Sequence, residues 1–175
     1  MKNHKYIRKK SQKQENRTAK EFGGRTQIAS GAITLMKGDV RTGDTSSRFN
    51  MEDFLIENKY TDSLKYKLES KIWDKISNEA IKDNLRTPML QVDIQDVELV
   101  IVQKNDLEGM VDTSTLEFFQ EDIITNNKSL MLDSQKYMQN LDISPYFAQK
   151  VTFIRPKSHL NLVILGKDTF LSMVF

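Results

Sequence analysis

The clearest pattern in the chain is a run of apolar residues four apart: Leu64, Leu68, Ile72, Ile76 and Ala80, with Trp73 beside them. That spacing predicts a helix over 62–84, flanked or opposed by Lys67, Lys71, Lys75 and Glu79. Its apolar stripe reads as core packing rather than a binding face. Upstream, Ser11 followed by Gln14 is a capping pattern. It predicts a helix over 11–22, ended by Gly23-Gly24. Glu15, Ala19 and Phe22 share one face of that helix. Phe22 is the buried end of the face, so Glu15 is an acid directed toward the body of the protein.

Other stretches alternate with period two. Residues 53–60 predict a strand, with Phe54, Ile56 and Asn58 on one face and Leu55, Glu57 and Lys59 on the other. Before it, Gly38-Asp39-Val40 opens a strand and Thr42–Ser47 has turn chemistry. Pro88 is read as a break. Strands are then predicted over 89–94 and 97–103. Residues 114–124 read as a short helix capped by Ser114, and 128–132 as a strand. A helix capped by Asp133 or Ser134 follows, then late strands around 150–155 and 161–165. Residues 168–175 are a short helix or strand end. The order implies an α/β protein with a central mixed β-sheet flanked by helices.

Length fits one domain, read as 11–175 behind a flexible basic arm at 1–10. With no cysteine among 175 residues, disulfides and thiolate metal sites are excluded. No apolar run reaches bilayer length, and the basic N-terminus lacks the core of a signal peptide, so a soluble, cytoplasmic protein without membrane contact is expected. Charge is uneven. Residues 1–25 carry nine Lys/Arg and two acids, a surplus of seven, against +2 for the whole chain. A basic segment on an otherwise acidic body points to a polyanion partner, or to a solvated tail.

Acid-x-Lys triplets occur twice, at Glu57-Asn58-Lys59 and Glu69-Ser70-Lys71. Chance alone would give about 2.6, so the pattern means little without its context. The second lies in the predicted helix, where residues two apart do not face each other. The first lies on a predicted strand, where they do. Asp39 precedes Glu57 across turn-rich sequence, and a hairpin there would set it beside Glu57. Two adjacent carboxylates call for a cation, and Mg²⁺ suits such oxygen donors. Lys59 on the same face is then placed to serve an attacking water or developing charge on a phosphate. The plain alternatives are a surface ion pair for Glu57 and Lys59, an ordinary helix acid for Glu15, and a turn serine for Ser30. His4 and His159 have no partner at metal-ligand spacing.

Glu15, Ser30-Gly31, Asp39 in Gly-Asp-Val, and Glu57 and Lys59 in Phe-Leu-Ile-Glu-Asn-Lys together resemble the PD-(D/E)XK nuclease superfamily. Within it, they are most similar to the archaeal-type Holliday junction resolvases and their phage relatives. The resemblance covers residues 11–103. It departs in having glycine before Asp39 where the family motif has proline, and Asp44, also after a glycine, is a second candidate for Asp39's place.

The resemblance implies a restriction-endonuclease-like fold and a DNA endonuclease acting in recombination or repair. Mg²⁺, with Mn²⁺ able to substitute, would be held by Asp39, Glu57 and the backbone carbonyl of Asn58. Lys59 would serve the attacking water, Glu15 would hold a metal-bound water or second metal, and Ser30 would lie near the scissile phosphate. The implied substrate is branched DNA, above all four-way junctions cut by a homodimer. Lys5, Arg8, Lys9, Lys10 and Lys13 would neutralise DNA phosphates. The rivals are a restriction or repair enzyme on duplex DNA and a non-catalytic DNA-binding protein.

Overall fold

The sheet is built outward from two apolar strands, β5 (Thr87–Ile94) and β6 (Val97–Gln103), joined by a two-residue turn. A computed structural model describes residues 2–23, 25–26, 40–41, 54–83, 86–119 and 121–174, without the side chains of 2–8, 25 and 41. Strand β3 (Phe54–Thr61) lies parallel to β5. Beyond it come the short antiparallel pieces β2 (Val40–Arg41) and β1 (Arg25–Thr26). On the other side β6 pairs with β11 (His159–Gly166), which pairs with β10 (Phe147–Ile154). Two short strands, β7 (Glu117–Phe118) and β8 (Ile123–Thr125), run parallel to β10 at the edge. Among the described residues these nine strands form one mixed sheet, and β4 (Lys65–Glu69) with β9 (Ser129–Asp133) forms a separate antiparallel pair.

Helices cover both faces, as the alternation of apolar side chains requires. One face carries Phe54, Ile56, Met89, Val100 and Val102. Against it pack α1 (Lys2–Glu21) through Ala19 and the following Phe22, α3 (Lys104–Met110) through Leu107, and α5 (Lys167–Val174) through Phe170. The other face carries Leu90, Val92, Ile94, Leu99 and Ile101, covered by Trp73 and Ile76 of α2 (Ser70–Lys82) and Tyr137 of α4 (Ser134–Ile143). The architecture is therefore α/β, with a central mixed sheet flanked by helices.

Four elements differ from the sequence reading. The first helix continues through residues 2–10 instead of leaving them as an arm. Its end is as expected, with Gly23 at φ 62° after the last turn. Residues 62–69 are a turn and β4, not the start of the long helix: Tyr66 and Leu68 join the core cluster while Lys65 and Lys67 face out, with period two. Pro88 does not break the chain but sits second in β5, where pairing with β6 has not yet begun. Its missing N–H therefore removes no bond from that ladder. Residues 113–125 form a short 3-10 turn and strands β7 and β8, with Asp112 rather than Ser114 as cap.

Candidate active site on strand β3

Alternation along β3 sends Glu57 and Lys59 to one face and Asn58 to the other. Glu57 is 6% exposed although charged. The Lys59 ammonium donates to its Oε1 at 2.5 Å. Lys75, from α2, approaches the same oxygen at 3.4 Å. Both lysines are partly exposed, so their ammoniums remain hydrated while the carboxylate does not. A carboxylate this buried needs counter-charge to stay ionised. The Glu57 charge also reaches Tyr66 on β4. Burial pushes that phenol up, with help from Glu57 and Glu69, to about 12. Its hydroxyl is buried and hydrogen-bonded to no described residue.

Asn58 turns the other way, toward α1, where its Oδ1 accepts from Thr18 at 2.9 Å. Thr18 also reaches Gln91 of β5, at 2.8 Å, and Gln14 donates to the Lys59 carbonyl at 3.1 Å. Thus α1 meets β3 through Gln14 and Thr18, on the face opposite the Glu57 carboxylate. Glu15, next to Gln14, is half-buried and accepts from Gln12 at 3.3 Å. The second acid-x-Lys triplet spans the junction of β4 and α2. Glu69 there pairs with Lys67 and Lys71, and these three form a solvated cluster.

Of the predicted site residues, Glu57 and Lys59 come together. Ser30, Asp39 and Asp44 lie outside the described residues. The register of β2 on β3 sets Val40 opposite Ile56, so the described pairing stops one residue short of both Asp39 and Glu57. Among the described residues no three His, Cys, Asp or Glu side chains converge on a metal-sized site. Among the described residues, the acid of the predicted set that is buried on this face is Glu57, a hard oxygen donor of the kind Mg²⁺ takes.

Eight of the nine basic residues of the N-terminal segment fall along α1, and Arg25 lies on β1. Lys9 and Lys13 are exposed, Lys10 is half-buried, and the side chains of Lys5 and Arg8 are among those not described. Lys10 binds the Tyr60 hydroxyl at 2.6 Å and Asp62 at 2.8 Å, which ties α1 to the end of β3. Lys10, Lys13, Gln14, Arg17, Tyr60 and Asp93 line a cavity of about 200 Å³.

Sequence reasoning passes over two groups. Lys75 reads as the flank of an apolar stripe, and nothing in its spacing announces Glu57 as a partner. The second is a row of paired charges under α1, of which Asp93 and Lys167 are buried. Arg17 pairs with Asp93 at 2.9 Å and with Glu98. Lys167, 4% exposed at the start of α5, pairs with Glu21 at 2.8 Å and with Glu98. Burial lowers Lys167, but its hydrogen bonds to Glu21 and Glu98 outweigh that and hold it above the ordinary lysine value. A signal for this row exists in the sequence: Gln91 and Asp93 alternate with apolar residues in β5, so they mark a polar strip on one face.

No family model and no curated protein matches the chain. Among solved structures, it is similar to a Holliday junction resolvase from the archaeal hyperthermophile Archaeoglobus fulgidus. The two share 12% identity at a TM-score of 0.46, over 73% of this chain and 89% of that one. Among the described residues, no helix is long and apolar enough to cross a membrane.

Proposed function

We propose that the protein is a Mg²⁺-dependent DNA endonuclease of the restriction-endonuclease-like kind, and that it acts on branched DNA as a Holliday junction resolvase. The observation that carries this reading is the burial of Glu57 beneath two ammonium groups. A surface ion pair would be hydrated and would contribute under about 1 kcal/mol. A carboxylate held out of water with cations on it is a poor device for stability and a good one for chemistry.

In this reading Asp39 and Glu57 hold the cation, with the Asn58 carbonyl as a further ligand, directly or through water. Mn²⁺ would substitute. Bound there, the ion would supply an activated water and neutralise charge on the phosphate. Lys59 keeps its ammonium at the carboxylate edge, where it orients the water and offsets negative charge as the phosphodiester is attacked. Ser30 would contact the phosphate. Lys5, Arg8, Lys9, Lys10 and Lys13 would hold the DNA backbone without reading sequence. Cutting two opposed strands of a junction requires two sites, hence a homodimer.

Cleavage of an immobile four-way junction, compared with linear duplex of the same sequence, tests this with and without Mg²⁺. Cleavage is expected on the junction, only with the metal, and it should be lost in Lys59→Ala. Preference for the duplex would favour a restriction or repair enzyme. Binding without cleavage under any condition would favour a DNA-binding protein.

A further inference from the structure

Glu57 Oε1 accepts from two lysines, and only Lys59 belongs to the strand motif. Lys75 comes from α2, whose Trp73 and Ile76 lock the helix onto the sheet. Its root is therefore fixed, while its side chain is 57% exposed. Lys59 is the inner of the two, at 2.5 Å and 33% exposed. The 3.4 Å approach of Lys75 is the longer and more hydrated pairing. One turn earlier, Lys71 has a different partner, Glu69 at 2.7 Å. Position 75 is thus where α2 reaches the carboxylate.

We propose that Lys75 is a second working cation of this site. It neutralises Glu57 while no divalent ion is bound, and moves to a non-bridging oxygen of the scissile phosphate when one is. The argument is electrostatic. A divalent ion on Glu57 both satisfies the carboxylate and repels the neighbouring ammonium. Lys75 can then turn outward, where a non-bridging oxygen of a DNA phosphate at the site can accept it. Lysine is suited to such a move, because it is a compact charge on a four-carbon flexible stem. The inference rests on the nuclease reading above.

Two effects of opposite sign follow. Lys75→Ala removes a competitor for Glu57, so Mn²⁺ should bind the DNA-free protein about two- to fivefold more tightly, the range set by a partly exposed ion pair. The same substitution takes a cation away from the phosphate, so single-turnover cleavage of a four-way junction at saturating Mg²⁺ should slow by at least about tenfold. Lys75→Arg should recover part of that rate. A purely structural lysine would lower metal affinity and rate together. The measurements are a Mn²⁺ titration followed by electron paramagnetic resonance, and the cleavage rate, on the full chain for wild type and both variants. Unchanged or weaker Mn²⁺ binding in Lys75→Ala overturns the proposal, as does wild-type cleavage by that variant. If the wild type neither binds Mn²⁺ nor cleaves, the nuclease reading itself falls and takes this inference with it.

Discussion

The Lys59 ammonium lies 2.5 Å from Oε1 of Glu57, two residues back on the same strand, and the carboxylate beneath it is almost out of reach of water. Period-two geometry makes the pairing, and the docking of α2 closes over it. Removing the carboxylate charge should therefore separate chemistry from stability. Glu57→Gln should abolish Mg²⁺-dependent cleavage. Its unfolding free energy should change by less than about 1 kcal/mol, because both lysines are exposed enough to rehydrate. Urea unfolding with a cleavage assay checks this. A large loss of stability would mean that Glu57 mainly holds the fold.

DNA binding should follow the charge on α1. Lys9 and Lys13 are exposed. Replacing both with alanine should weaken binding at all sequences alike. It should flatten the dependence of log affinity on log salt by about 0.9 for each phosphate that is no longer neutralised. Affinities measured across a salt series give that slope directly. An unchanged slope would take this face of α1 off the DNA.

Asp93 gives a pH signature. Burial raises its carboxyl above the ordinary 3.8, with Glu98 pushing the same way and Gln91, Arg17 and Gln14 pulling down. As pH rises past 3.8, the unfolded chain releases this proton while the folded chain keeps it. Stability from this group therefore falls until pH exceeds the folded value. Asp93→Asn removes the penalty. Its stability relative to wild type should climb as pH rises from below 3.8, read from urea midpoints at several pH values. A constant difference, or a decline, would show that Arg17 rather than burial governs the site.

Phe170 links the end of the chain to its beginning. Its ring lies 6.1 Å from that of Phe22 and 5.8 Å from that of Phe54, centre to centre. Phe170→Ala should cost about 3–5 kcal/mol, which chemical denaturation of the two proteins measures. A loss under about 1 kcal/mol would mean that α5 is not part of the core that seats β3.

The strands at the centre are readable because each is an apolar run of strand length: β3, β5, β6, β10 and β11 all overlap the predicted stretches, although β10 begins three residues before its predicted start. The cap of α4 is readable for the same local reason, since Asp133 accepts from the Gln135 amide at 3.0 Å. Misreadings arise where the signal is ambiguous or remote. Leu64 and Leu68 are four apart, and a spacing of four keeps residues on one face of a strand as well as a helix. Strands β7 and β8 are two and three residues long, and their partner β10 lies far along the chain. Residues 2–10 carry no apolar stripe, so their helix leaves no periodic mark. The same division applies to the site. Glu57 and Lys59 meet through spacing on one strand, whereas Lys75 and Tyr66 arrive through packing of α2 and β4 on the sheet.

The claim that two acids hold one divalent ion is tested most directly by titrating the DNA-free protein with Mn²⁺ and counting bound ions by electron paramagnetic resonance. Wild type and Asp44→Asn should bind alike, while Asp39→Asn and Glu57→Gln should each lose the ion. Wild-type binding in both Asp39→Asn and Glu57→Gln, or no binding by the wild type, would contradict the account.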